Sequence, residues 1–92
     1  ARLKMLSYQL IISGDVQGVG FRAGAFRAAA RLLVRGYAKN NPDGTVEILI
    51  QGPKQNVDQF IDWARIGPPT ARVLAVKINQ VEEEPQAGFR MV

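Results

Sequence analysis

Gly14-Asp15-Val16-Gln17-Gly18-Val19-Gly20-Phe21-Arg22, GDVQGVGFR, stands between two patterns of different period. Before it, Leu6, Tyr8, Leu10 and Ile12 alternate through Leu6–Ser13, which predicts a strand with those four side chains on one face. After it, Phe21, Ala25, Ala28, Ala29 and Leu32 recur at helical spacing, which predicts a helix over residues 21–33. The loop between them holds Gly14, Gly18 and Gly20 and ends directly on Phe21-Arg22. A strand that passes through a glycine-rich loop into a helix is the opening of a βα unit.

Working outward, Gly36 is expected to stop the first helix, and Gly36–Asn40 to form a second strand. Asn41-Pro42-Asp43-Gly44 is strong turn chemistry, and Thr45–Ile50 alternates as a third strand closing a hairpin. Gly52-Pro53 ends that strand and starts a second helix. Its apolar residues Val57, Phe60, Ile61 and Ala64 follow the i, i+3, i+4, i+7 rule, with Trp63 beside them. Gly67-Pro68-Pro69 supplies its stop. Arg72–Val81 alternates as a long strand, Glu82-Glu83-Glu84-Pro85-Gln86 reads as a solvated loop, and Phe89–Val92 as a short last strand.

The expected order is therefore β-α-β-β-α-β with a short C-terminal strand. Right-handed crossovers would lay both helices on one face of a mainly antiparallel sheet. This is an α+β two-layer sandwich of the ferredoxin-like kind, read here as a single domain over residues 1–92. Such a fold hosts many activities, so function has to come from a site.

Composition narrows the chemistry. The 92 residues are 47% hydrophobic and 22% charged, which is ordinary for a globular chain. There is no Cys, hence no disulfide, thiol nucleophile or zinc–thiolate site. There is no His, the commonest general acid/base, and Ser7 and Ser13 have no imidazole to activate them. Any catalysis must work by positioning and electrostatics. Up to Asn40 seven basic residues face Asp15 alone, whereas from Asn41 onward five basic residues face seven acidic ones. A basic half fits an anionic partner, and solubility explains it equally well. Ala1-Arg2-Leu3-Lys4 is basic but lacks a signal-peptide core, and no apolar run reaches membrane-span length, so a cytoplasmic protein is expected.

A glycine-rich strand-to-helix loop can turn several N–H groups toward one point, beside the positive end of the helix. That arrangement makes a nest for an anion. The other reading is a tight turn that merely needs positive φ. Arg22 favours the anion. At about 100° per residue, Arg27, Arg31 and Arg35 share one solvated stripe while Arg22 falls within the apolar arc. A cation at the positive end of a helix is misplaced unless something negative joins it, and its planar fork suits phosphate. Asn40 is a second candidate, since its amide both donates and accepts and could hold a water. Turn formation, shared with Asn41, is the other role open to it.

Two long segments then carry a resemblance. GDVQGVGFR (Gly14–Arg22) and GYAKNNPDGTVEILIQG (Gly36–Gly52) resemble the two signature segments of the acylphosphatases, and GPPTARV (Gly67–Val73) matches after the second helix. The resemblance spans essentially the whole chain. It implies hydrolysis of carboxyl-phosphate anhydrides, with the backbone amides of Asp15, Val16, Gln17, Gly18, Val19 and Gly20 cradling the phosphoryl group. Arg22 would clamp its oxygens and Asn40 would position the attacking water. It implies no metal or cofactor and a small-molecule acyl phosphate as partner; no nucleic-acid or membrane partner is expected, and nothing in the sequence demands more than a monomer. Asp15, Ala23, Gly24 and Leu33 depart from the usual family pattern. Asp15 would oppose an incoming phosphate, and Gly24 would cost about 1 kcal/mol of helix stability relative to Ala.

Two rival readings are weaker. Arg35-Gly36-Tyr37-Ala38 begins like an RNA-recognition signature, but Lys39, Asn40 and Pro42 break it. An acylphosphatase-like regulatory domain of a large hydrogenase-maturation carbamoyltransferase would usually carry a proline where Ala23 stands.

Overall fold

The structure, a computed structural model, describes residues 4–82 and 84–92. Ala1-Arg2-Leu3 of the basic start and Glu83 of the acidic loop lie outside the described residues. The elements are β1 (Met5–Asp15), α1 (Phe21–Leu32), β2 (Arg35–Asn40), β3 (Val46–Pro53), α2 (Lys54–Ile66), β4 (Arg72–Gln80) and β5 (Phe89–Met91). The strands form one sheet in the order β4-β1-β3-β2-β5. All pairings are antiparallel except the parallel pair of β2 with the short β5. The predicted ferredoxin-like architecture is thus what the chain adopts, with β5 added at the β2 edge.

Alternation decides which face is covered. Leu10 and Ile12 of β1 pair with Ile48 and Val46 of β3, and all four are fully buried. Phe21, Ala25, Ala28 and Ala29 of α1 and Val57, Phe60 and Ala64 of α2 close over them in the same cluster. Each fully buried large side chain of this kind contributes about 1.5–3 kcal/mol relative to exposure. Phe21, Phe60 and Trp63 meet at centroid distances of 5.4 and 5.6 Å and join the two helices.

Two boundaries differ from expectation for identifiable reasons. The first helix ends at Leu32, and Leu33 caps it in the left-handed region at φ 58. The amides of Leu33 and Val34 both reach the Ala29 carbonyl there, the 5→1 and 6→1 bonds that close a helix. Gly36 is therefore no helix stop. It lies inside β2, where a Cβ would stand 1.8 Å from the Leu49 carbonyl oxygen. The third strand also runs on through Gln51 to Pro53. Gln51 is buried, donating from Nε2 to the Glu84 carbonyl at 3.1 Å and accepting from the Gln86 amide at 2.8 Å. Arg35 Nη1 also donates to the Gln86 carbonyl at 3.4 Å, so both β2 and β3 tie the connection to the sheet and lead β5 to its place beside β2.

Candidate active site

The GDVQGVGFR loop is anchored before anything binds it. Val16 and Phe21, at its two ends, are each 1% exposed and sit in the core. Between them Gly18 and Gly20 are exposed with φ of 73 and 78, the left-handed conformation that only glycine adopts without strain. No other atom lies within 4 Å of a Cβ built at either position. Backbone conformation, rather than crowding by the protein, is what asks for glycine there. Gly20 is also the residue that leads into α1, with no side-chain cap on the helix amides. Those amides are the free donors and positive end of the helix.

Two side chains fix the loop from opposite sides. Gln17 Nε2 donates to the carbonyls of Asn41 at 2.7 Å and Thr45 at 2.9 Å, joining the loop to the β2–β3 turn. Thr70 Oγ1 donates to the Val19 carbonyl at 2.5 Å, joining it to the segment before β4. Both groups went unrecognised as positioning residues in the sequence. A Gln or Thr side chain reveals its long-range partner only when the sheet brings that partner near.

Residues from four elements line one cavity of about 140 Å³: Val16, Gly18, Gly20, Phe21, Arg22, Ala23, Asn40 and Met91. Of the residues singled out in the sequence, Arg22, Asn40, Val16, Gly18 and Gly20 are therefore brought together. Asp15, Gln17 and Val19 do not line it. Asp15 ends β1 in register with Arg72, exposed.

Arg22 is half-buried in the first turn of α1, and its Nη1 donates to the main-chain oxygen of Val92 at 2.8 Å. The Val92 amide donates in turn to the Ala38 carbonyl at 2.8 Å, so β2 and the end of β5 jointly hold the guanidinium. Arg22 is the one charged side chain among the lining residues. Asn40 ends β2 on the helix-covered side, following Gly36 and Ala38 by alternation. The turn beyond it is closed by others. Asn41 bonds Thr45 through both main chain and side chain, and Asp43 accepts from the Thr45 amide and hydroxyl. Among the described residues the Asn40 amide makes no hydrogen bond, and it borders the cavity instead.

Among the described residues no group of three or more His, Cys, Asp or Glu is arranged to hold a metal ion. No helix among them is long and apolar enough to cross a membrane.

The comparisons agree on one family. The acylphosphatase family model matches residues 8–91. The acylphosphatase of Thermococcus kodakarensis is 46% identical over 90 residues, covering 98% of this chain and 99% of the relative. The crystal structure of the Bacillus subtilis acylphosphatase superposes with a TM-score of 0.91 at 34% identity, covering 95% of this chain and 98% of that one. Full-length HypF, in its phosphate- and nucleotide-bound form, contains a region matching at TM-score 0.92 and 27% identity, in which this whole chain corresponds to 12% of HypF. With the family model spanning nearly all its residues and relatives matched end to end, the chain belongs to the acylphosphatase family.

Proposed function

We propose that this chain hydrolyses acyl phosphates to a carboxylate and inorganic phosphate, with the phosphoryl group seated between the Gly18–Gly20 amides and Arg22. The observation that carries the reading is the convergence of Arg22, Asn40, Gly18 and Gly20 on one cavity of about 140 Å³. In this reading the backbone amides around Gly18 and Gly20 and the uncapped start of α1 donate to the phosphoryl oxygens. The free edge of the Arg22 fork clamps them, because the other edge is held by Val92. The Asn40 amide holds the attacking water.

The chemistry suits a chain without His or Cys. Water oxygen forms a bond to phosphorus as the bond from phosphorus to the acyl oxygen breaks, and the electron pair leaves with the carboxylate. A carboxylic acid has a pKa of about 4–5, so the leaving group departs without a proton. The proton lost by water goes to a phosphate oxygen. Charge spread over the three equatorial oxygens is what the protein must stabilise, and fixed amides plus a guanidinium do that.

The chain is read as working in the cytoplasm, as a monomer, without a metal or cofactor, on small molecules rather than nucleic acid or membrane. Against a nucleic-acid platform stands the open face of the sheet. Among the described residues its one aromatic is Tyr37, whose hydroxyl donates to Glu47 at 2.8 Å. An RNA-binding sheet needs several stacking rings.

A continuous ultraviolet assay with benzoyl phosphate tests the reading. Turnover is expected with and without EDTA, with inorganic phosphate as a competitive inhibitor. Absence of turnover, or loss of it on chelation, overturns the proposal.

A further inference from the structure

The cavity has a mixed lining. Loop backbone, Arg22 and Asn40 are polar, whereas Val16, Phe21, Ala23 and Met91 are apolar, and of these four Val16 and Phe21 are buried in the core. Met91 is large and apolar, 53% exposed, and borders the same cavity as Arg22 and Asn40.

Its orientation follows from β5. Phe89 packs on Phe60 of α2 at a centroid distance of 6.1 Å, so this face of β5 is turned toward the helices. Met91, two residues on, shares that face. Phe89 also borders a second groove of about 360 Å³ together with Phe26, which is 43% exposed. Phe26 lies one helical turn beyond Ala23, at i+3. Ala23 and Met91 are thus each one step from an apolar residue of the groove. An apolar track leads away from the cradle between α1 and β5.

We propose that Ala23 and Met91 seat the acyl group of the substrate, with Phe26 and Phe89 continuing the track for larger groups, and that the enzyme selects uncharged apolar or aromatic acyl phosphates. The inference rests on the reading of the cradle given above. Charge fixes the class. Arg22 is the one charged side chain lining the cavity, and it faces the phosphoryl group. A short acyl tail bearing its own carboxylate meets Ala23 and Met91 with no second cation lining the cavity, and loses hydration on an apolar wall. Arg35 borders the groove beyond, so the selection against charge applies to tails that stay within the cavity.

The test compares kcat/KM for benzoyl phosphate, acetyl phosphate and succinyl phosphate within each variant, so that losses common to all three cancel. In Met91→Ala the benzoyl-to-acetyl ratio is expected to fall roughly tenfold, the low end of the scale at which a hydrophobic pocket discriminates small groups, as fits a half-exposed wall. In Met91→Lys the succinyl-to-acetyl ratio is expected to rise roughly two- to fivefold, the scale of an exposed ion pair. Both changes lie at an exposed position and leave the core untouched. Inorganic phosphate reads the cradle separately. If phosphate competes in the wild type and the two ratios stay where they were, the acyl seat is wrong and the cradle survives. If phosphate does not compete in the wild type, the cradle is lost and the seat falls with it.

Discussion

The side-chain amide of Gln17 and the carbonyl of Asn41 are 24 residues apart in sequence and 2.7 Å apart in the fold. A second bond from the same nitrogen, to Thr45 at 2.9 Å, makes Gln17 a clamp between the glycine-rich loop and the hairpin that presents Asn40. The loop and Asn40 belong to different elements, so their relative placement depends on this cross-link.

Gln17→Ala should therefore lower kcat about tenfold with a smaller effect on KM, because a misplaced nucleophile slows the chemical step more than it weakens binding. Both carbonyls keep one other donor, Gly44 N–H for Asn41 and Asn41 N–H for Thr45. The stability loss should then be no more than about 1–2 kcal/mol in urea unfolding. Gln17→Glu is the sharper control. It keeps the size, removes the donor, and faces a carboxylate toward two carbonyl oxygens, so at neutral pH it should unfold more readily than Gln17→Ala.

Arg22→Ala should reduce kcat/KM for benzoyl phosphate by roughly a hundredfold or more, the loss typical when a fixed charge-stabilising donor is removed. Inhibition by inorganic phosphate should weaken in the same variant. Circular dichroism and unfolding should still report a folded chain, because the residue is half-buried and at a helix end. Undiminished turnover in a folded Arg22→Ala protein would exclude the clamp.

Asn40→Ala should behave differently. The amide has no hydrogen-bond partner among the described residues, and Asn41, Asp43 and Thr45 close the turn without it. Stability should change little, kcat should fall roughly a hundredfold, and phosphate inhibition should persist. A loss of phosphate affinity with kcat intact would assign Asn40 to binding instead of to the water.

How much of this was legible in advance depended on the range of the interaction. Local periodicity placed every strand and helix within a few residues, because one buried face per element writes itself into the sequence. Helix phase alone also set Arg22 apart from the Arg27, Arg31 and Arg35 stripe. The choice between Asn40 and Asn41 as turn residue was not legible, since adjacent asparagines look alike until the hairpin register turns Asn40 toward the helices. Gln17, Thr70, Met91 and Val92 stayed hidden for the same reason, as their partners arrive through sheet pairing or distant loops. Leu33 and Gly36 show the opposite failure. Gly is the usual left-handed helix cap, but here Leu takes that conformation and the glycine is needed where β2 crosses the Leu49 carbonyl.

That observation carries its own prediction. Leu33 holds φ 58 while its side chain is 75% exposed, so it bears the left-handed backbone penalty with little burial in return. Leu33→Gly should stabilise the protein by about 1 kcal/mol. For a chain of this size that is a rise in Tm of roughly 4–8 °C. Calorimetry showing a lower Tm would mean the side chain's contact along the α1–β5 groove outweighs the backbone strain.

Asp43 gives the pH dependence a sign. The Thr45 hydroxyl, and then the Thr45 amide, donate to its carboxylate and hold its pKa below the ordinary value. A depressed folded-state pKa means that the unfolded chain takes up a proton first as pH falls. The contribution of Asp43 is thus fully present above the unfolded carboxylate value of about 3.9 and is lost as pH drops through the lower folded one. The stability difference between wild type and Asp43→Ala should be constant from about pH 8 down to about pH 5 and shrink below about pH 4. Urea unfolding of both proteins across that range measures it. Replacing Thr45 by Val removes the larger of the two donors, so the shrinkage in that background should be smaller and be complete at higher pH, and an unchanged extent would assign the depression to some other group.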